Sequence, residues 1–270
     1  MKTAFAALVC LCALCPVAHA GDFVAISGPL TREFDVQPGR SYDGTIDVAN
    51  PSKAAQEIKV YQTDYLFYAD GTRSYGEPGS IQRSNARWLT LSPLQAVIPA
   101  GESVTIRFAV QVPSDQTLRG TYWSVIMVEP VPPSAPESSR NDSPMPALGI
   151  RQVVRYAVQV ITTVADTGSR QIRFSQVRLV SDNGKRQLIV DLENTGERLL
   201  RTSLWADLYD PKGSFVGKFD GGKHGLYPGT SARFTADLAG LAIATYKALI
   251  VADCGGDDVF GANVSLVLTE

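Results

Sequence analysis

Apolar and polar residues alternate with a period of two through almost the whole chain, and Gly, Pro, Asn or Asp closes nearly every alternating run. No long segment has helical spacing. The alternation predicts strands over Phe23 to Ile26, Tyr42 to Ala49, Glu57 to Phe67, Arg87 to Leu91, Ser103 to Val112, Gly120 to Glu129 and Ile150 to Val164. The last, IRQVVRYAVQVITTV, carries Ile150, Val154, Tyr156, Val158 and Val160 on one face and Arg151, Arg155 and Gln159 on the other. It reads as a long, two-faced strand. Such a strand either seals its own sheet or lends its apolar row to another protein whose sheet is incomplete.

The second half repeats this grammar: Gln171 to Val180, Arg186 to Glu193, Leu199 to Tyr209, Ser214 to Phe219, Ala232 to Leu238, Thr245 to Ala252 and Asn263 to Leu268. Asp182-Asn183-Gly184 between two alternating runs is a hairpin signal. Between Tyr68 and Arg87, Asp70-Gly71 and Glu77-Pro78-Gly79 mark a polar excursion. Residues 130–149 are rich in Pro and Ser and have little to bury, so they are expected to form a mobile loop joining the last two strands of the first unit. The expected fold class is all-β, two immunoglobulin-like sandwiches in tandem, over residues 21–164 and 165–270. No stretch is left over for a third domain or a C-terminal anchor.

Residues 1–20 break the pattern. Lys2 heads an apolar run from Ala4 to Val17, and Ala18-His19-Ala20 precedes Gly21, the small-x-small pattern of a cleavable secretory signal. The cysteines at 10, 12 and 15 lack the spacing of a lipoprotein signal. No other run is long and apolar enough to span a bilayer, so the mature protein is expected to be soluble and outside the cytoplasm. Cleavage would leave Cys254 and His224 as the only cysteine and histidine, so an internal disulfide is excluded and stability must rest on burial. Loss of Lys2 leaves 24 basic against 27 acidic residues without a block of either sign, which implies neither nucleic acid nor an anionic membrane as partner.

Little chemistry can be assembled from what remains. His224 lies in the glycine-rich stretch Asp220 to Gly225, expected to be a solvated turn, with no nucleophile at a spacing that suggests partnership. Asp253, Asp257 and Asp258 lack the alternating ligand spacing of a calcium loop, and one Cys with one His is too few for zinc. The expectation is a non-enzymatic protein with no catalytic residues, metal or cofactor.

Three stretches, in order, carry a resemblance. They are Trp88-Leu89-Thr90-Leu91-Ser92-Pro93 with Pro99-Ala100-Gly101-Glu102, then Val112-Pro113-Ser114-Asp115 leading to Gly120-Thr121-Tyr122-Trp123, and Glu129-Pro130-Val131-Pro132-Pro133 opening a loop that returns as an apolar strand. Together they resemble the N-terminal domain of the periplasmic chaperones of the chaperone/usher pilus pathway. The resemblance implies a periplasmic chaperone that binds and stabilises fimbrial or other surface subunits whose sandwiches lack their last strand by donating a β-strand of its own N-terminal domain, with an outer-membrane usher as a further partner. The donated row would be Ile150, Val154, Tyr156 and Val158. A basic pair clamps the subunit's terminal carboxylate in that family; Arg32 is the counterpart of its arginine, and Arg155 stands for the lysine, although a gap-free register puts Gln159 there.

Val36-Gln37-Pro38-Gly39, Val48-Ala49-Asn50-Pro51, Trp88 and Val112-Pro113 also resemble the Ig-like surface domain of WxL-interacting proteins. That likeness implies the alternative, a non-enzymatic envelope module binding peptidoglycan or surface proteins.

Overall fold

The computed structural model describes residues 23–132, 153–182 and 185–269. The expected signal segment, residues 133–152 of the Pro/Ser-rich stretch and the strand start, including Ile150, and Asn183-Gly184 of the expected hairpin turn lie outside the described residues.

The chain is all-β and forms two immunoglobulin-like sandwiches in tandem. Ten strands build the first: β1 (Ala25–Ser27), β2 (Thr31–Val36), β3 (Ser41–Ala49), β4 (Gln56–Phe67), β5 (Arg73–Gly76), β6 (Leu89–Ser92), β7 (Gln95–Ile98), β8 (Ser103–Gln111), β9 (Gly120–Val131) and β10 (Tyr156–Val164). One sheet has the order β1-β3-β8-β6, and the other β2-β10-β9-β4-β5 with β7 also against β4. Alternate residues from both sheets fill the space between them: Ile46 and Val48 from β3, Ile106, Phe108 and Val110 from β8, Ile126 and Val128 from β9, and Val158 and Val160 from β10. Each fully buried valine or isoleucine contributes about 1.5–3 kcal/mol.

The second sandwich follows with β11 (Ile172–Asp182), β12 (Lys185–Asn194), β13 (Leu200–Tyr209), β14 (Phe215–Leu226), β15 (Ser231–Asp237), β16 (Thr245–Asp253) and β17 (Val259–Val267). Its sheets run β11-β12-β15 and β14-β13-β16-β17 around a core centred on Leu188, Leu192, Leu204, Phe234 and Ile250.

Several elements depart from the alternation. A 3₁₀ turn, Ala86–Trp88, occupies the start of the strand expected from Arg87. Strands β2, β5 and β7 are additions that the alternation does not predict. The glycine-rich stretch expected to be a turn instead continues β14 through to Leu226. It does so by a bulge: Leu204 pairs with Gly222 and Trp205 with Asp220, leaving Gly221 out of register. Gly222 takes φ +93° there, a backbone shape that disfavours a side chain.

The sandwiches meet through loops of the second, between β12 and β13 and between β14 and β15, set against the start of β9 and the outer face of its sheet. Gly120 at the start of β9 has φ +71°, and a Cβ at that position would lie 2.1 Å from the Glu197 carbonyl oxygen, so only glycine permits this approach. The Thr121 N–H donates to that same carbonyl at 2.8 Å, and the Leu199 N–H donates to Thr121 Oγ1 at 2.9 Å. Arg83 donates to Glu197 Oε1 at 3.0 Å. The outer face of the six-stranded sheet adds an apolar cluster of Trp123 and Ile161 against Tyr227 of the second sandwich.

Candidate functional site

Strand β10 is antiparallel to β9, with Tyr156 opposite Val128 and Val164 opposite Gly120. Its other side is covered by β2, but only in part. The parallel pairing begins at Gln159 opposite Thr31 and ends at Val164 opposite Val36, and the Gln159 N–H donates to the Leu30 carbonyl at 2.8 Å. Upstream of Leu30 the chain passes through Gly28 into β1, which belongs to the opposite sheet against β3. The cover on β10 therefore stops at Gln159.

Backbone groups on a strand point to alternate sides. Since Gln159 faces β2, the N–H and C=O groups of Ala157, two residues earlier in β10, face the same side, where no described strand pairs with them. Beside this open edge Val153 and Val154 are 37% and 39% exposed. Arg155 reaches back to Glu129, Nη1 to Oε2 at 3.9 Å, and Glu129 also accepts from the Tyr61 hydroxyl at 2.9 Å and lies 3.7 Å from Lys59.

The side chains of the expected donor row divide along the strand. Val154 is exposed, Tyr156 is half-buried against the first core, and Val158 is fully buried within it. Val158, expected in the donated row, has no exposure in this structure and packs between the sheets of its own sandwich. Ile150 lies outside the described residues.

A second feature adjoins the first. Between the sandwiches lies an open cleft of about 670 Å³, walled by Thr31, Glu33, Tyr65, Phe67, Gln159, Ile161 and Tyr227, with Arg73, Arg201, His224 and Arg233 around it. The Tyr227 hydroxyl donates to Gln159 Oε1, and Arg201 pairs with Glu33 across the domain boundary. Burial holds the Tyr227 hydroxyl well above the ordinary tyrosine range, so it stays a donor. Arg233 is tied down by Asp191, with two bonds of 2.8 Å. His224 lies in a strand rather than a solvated turn, edge-on to Phe234 with centroids 4.9 Å apart.

The expected carboxylate pair is not brought together here. Arg32 shares the parity of Phe34 and Val36, which pack on the first core, and its guanidinium lies beside Gly28, whereas Thr31 and Glu33 on the opposite parity line the cleft. Arg155 is engaged with Glu129 and does not line the cleft either. Neither Arg32 nor Arg155, the residues expected to form the clamp, therefore lines this cleft. Position 159, which the gap-free register singles out, does reach the cleft. The cations present there, Arg73, Arg201 and Arg233, come from β5, β13 and β15, and no local motif marks them.

Cys254 is half-buried, bonded to Thr202 Oγ1 at 3.2 Å, and burial pushes its thiol pKa up. Asp258 is paired with Arg170 at 3.2 Å, and among the described residues no three His, Cys, Asp or Glu side chains cluster as metal ligands. No helix among the described residues is long and apolar enough to cross a membrane.

No protein-family model and no curated protein sequence matches the chain. Solved structures of pilus chaperones are similar to it over about 91% of its length. A chaperone–tip adhesin complex of CFA/I fimbriae biogenesis superposes with a TM-score of 0.47 at 15% identity, covering 91% of this chain and 98% of that one. The class 5 fimbriae chaperone CfaA gives 0.45 at 19%, covering 92% and 100%. The CsuC chaperone in its complex with CsuE, from the Csu pili of Acinetobacter baumannii, gives 0.43 at 14%, covering 91% and 98%. Each of these superpositions lies below 0.5, so what those proteins bind does not pass to this chain through them.

Proposed function

We propose that the chain is an exported, periplasmic and non-enzymatic chaperone that holds fimbrial or other surface subunits by adding its own β-edge to their incomplete sandwiches, with an outer-membrane usher as a further partner. The observation that carries this reading is the half-covered strand β10: β2 stops at Gln159, and the backbone groups of Ala157 point to a side where no described strand pairs with them. A subunit lacking a strand presents the complementary row of donors and acceptors. Exposed Val153 and Val154 are the apolar side chains at that edge. The cleft beside it, with its guanidinium groups, is the proposed seat for a subunit's terminal carboxylate.

Substituting Ala157→Pro tests the edge, because proline removes an N–H that has no described strand partner in the free protein and is tolerated where a strand edge faces solvent. The expected result is loss of subunit capture on periplasmic co-expression, with far-UV circular dichroism and melting temperature near those of the unaltered chain. Undiminished capture by a folded Ala157→Pro protein sinks the reading.

A further inference from the structure

Sheets with free edges are usually guarded against unwanted pairing by shortness, bulges, proline or charge. In the first sandwich β1, β5, β6 and β7 are three or four residues long, and β2 carries Arg32, Glu33 and Asp35. In the second, β11 is bulged between Phe174 and Gln176 and carries Arg173 and Arg178, β14 is bulged and carries Lys218, Asp220 and Lys223, and β15 carries Arg233 and Asp237. Strand β17 departs from this rule. It is nine residues long, VFGANVSLV, with no charge, no proline and no register shift, and it ends its sheet.

The direction of its unpaired groups follows from its pairing with β16. The Leu268 N–H donates to the Ala244 carbonyl, and the Cys254 N–H to the Asp258 carbonyl, so even-numbered residues of this stretch face β16. The backbone groups of Gly261, Asn263, Ser265 and Val267 therefore point to the open side, while the Val259 N–H is held by the Asp257 carbonyl at 3.1 Å. The strand's largest exposed side chains sit at its two ends, Val259 at 55% and Val267 at 59% exposure.

We infer that β17 is a homodimerisation edge, pairing antiparallel with β17 of a second copy about a two-fold axis at Asn263. Only this register keeps the whole strand paired. It sets Val259 opposite Val267 of the second copy, Gly261 opposite Ser265, and Asn263 opposite itself, so each exposed valine is covered by the other. Asp257 falls opposite Thr269 of the second copy, and no like charges meet. The arrangement joins two four-stranded sheets into one continuous sheet. It leaves β10 and the cleft accessible, since the cleft is lined from β14 at the other edge of the same sheet. This inference does not depend on the chaperone reading.

Sedimentation equilibrium on the full signal-free chain is the first measurement. The expected result is a concentration-dependent rise in mass toward twice that of the monomer, and Asn263→Lys, which sets two ammonium groups face to face, weakens the association at least tenfold with an unchanged melting temperature. Register is read by oxidation in a Cys254→Ser background. Asn263→Cys forms a disulfide-linked dimer, Ser265→Cys alone does not, and Ser265→Cys mixed with Gly261→Cys does. A chain that stays monomeric at every concentration overturns the proposal, as does cross-linking of Ser265→Cys with itself as efficient as that of Asn263→Cys.

Discussion

Trp123 and Tyr227 stack across the boundary between the two sandwiches, with ring centroids 4.8 Å apart and an interplanar angle of 28°. Trp123 also donates from Nε1 to the Tyr65 carbonyl at 2.8 Å, so its ring is tied to β4 of its own sandwich as well as stacked on the second. The Tyr227 hydroxyl then ties that sandwich to Gln159 of β10. The candidate edge and the cleft are thus held in one frame by an aromatic pair.

Tyr227→Ala removes the ring and leaves a void against Trp123, which costs about 3–5 kcal/mol on the scale of buried aromatic truncations. Tyr227→Phe keeps the stack and loses only the bond to Gln159, about 1 kcal/mol. In urea unfolding followed by tryptophan fluorescence the alanine variant is expected to melt far earlier than the phenylalanine one. Equal midpoints would mean that the stack does not couple the domains.

Burial also governs the response to alkali. Tyr42 stacks on Phe34 and bonds to Thr162 Oγ1 at 2.6 Å, and desolvation pushes its pKa up to about 12. A raised pKa means that the neutral phenol is favoured by the fold, so this stability is whole below the ordinary value near 10 and is lost as pH rises through about 12. The loss amounts to roughly 2–3 kcal/mol. Tyr42→Phe should flatten this part of a stability-against-pH curve between 9 and 12, to within about a unit at either end; an unchanged slope would remove Tyr42 as its source.

The alternation along β10 is enough to assign its faces: Tyr156, Val158 and Val160 on one side and Gln159 on the other hold in space. What covers each face is not legible in that alternation, because periodicity reports a face and not its neighbour. The cover comes from β2, whose TREFDV alternates charged with apolar residues and does not stand out as a strand, more than a hundred residues upstream. The parity of β2 also decides that Glu33 rather than Arg32 reaches the cleft. The cleft cations escape a reading of the sequence for a different reason: Arg73, Arg201 and Arg233 converge only when two sandwiches dock. His224 departs from its expected turn because glycines that mark turns elsewhere in the chain build a bulge within β14.

The division of the apolar row along β10 separates folding from binding. Val158→Thr puts a hydroxyl into the first core with no partner waiting, costing about 1–3 kcal/mol, and should lower the melting temperature. Val154→Thr alters a side chain that is 39% exposed and should leave stability within about 0.5 kcal/mol while weakening subunit capture. Paired thermal melts and pull-downs decide it. Should Val154→Thr melt as early as Val158→Thr, the open end of the strand belongs to the core after all.

The cleft makes the sharpest demand on the chaperone reading, since two arginines compete for one role. Arg201 stands on the cleft wall paired with Glu33, and a carboxylate entering there can take over its guanidinium, whereas Arg32 lies beside Gly28 on the other face of β2. Charge-assisted bonds of this kind are worth about 1.5–3 kcal/mol, or roughly 10- to 150-fold in affinity. Arg201→Ala should therefore weaken binding of a captured subunit's C-terminal peptide by that factor, and amidating the peptide should erase the difference. Arg32→Ala should leave affinity unchanged. Isothermal titration with both peptide forms measures all of these, and a loss confined to Arg32→Ala would place the carboxylate seat on the opposite face of β2.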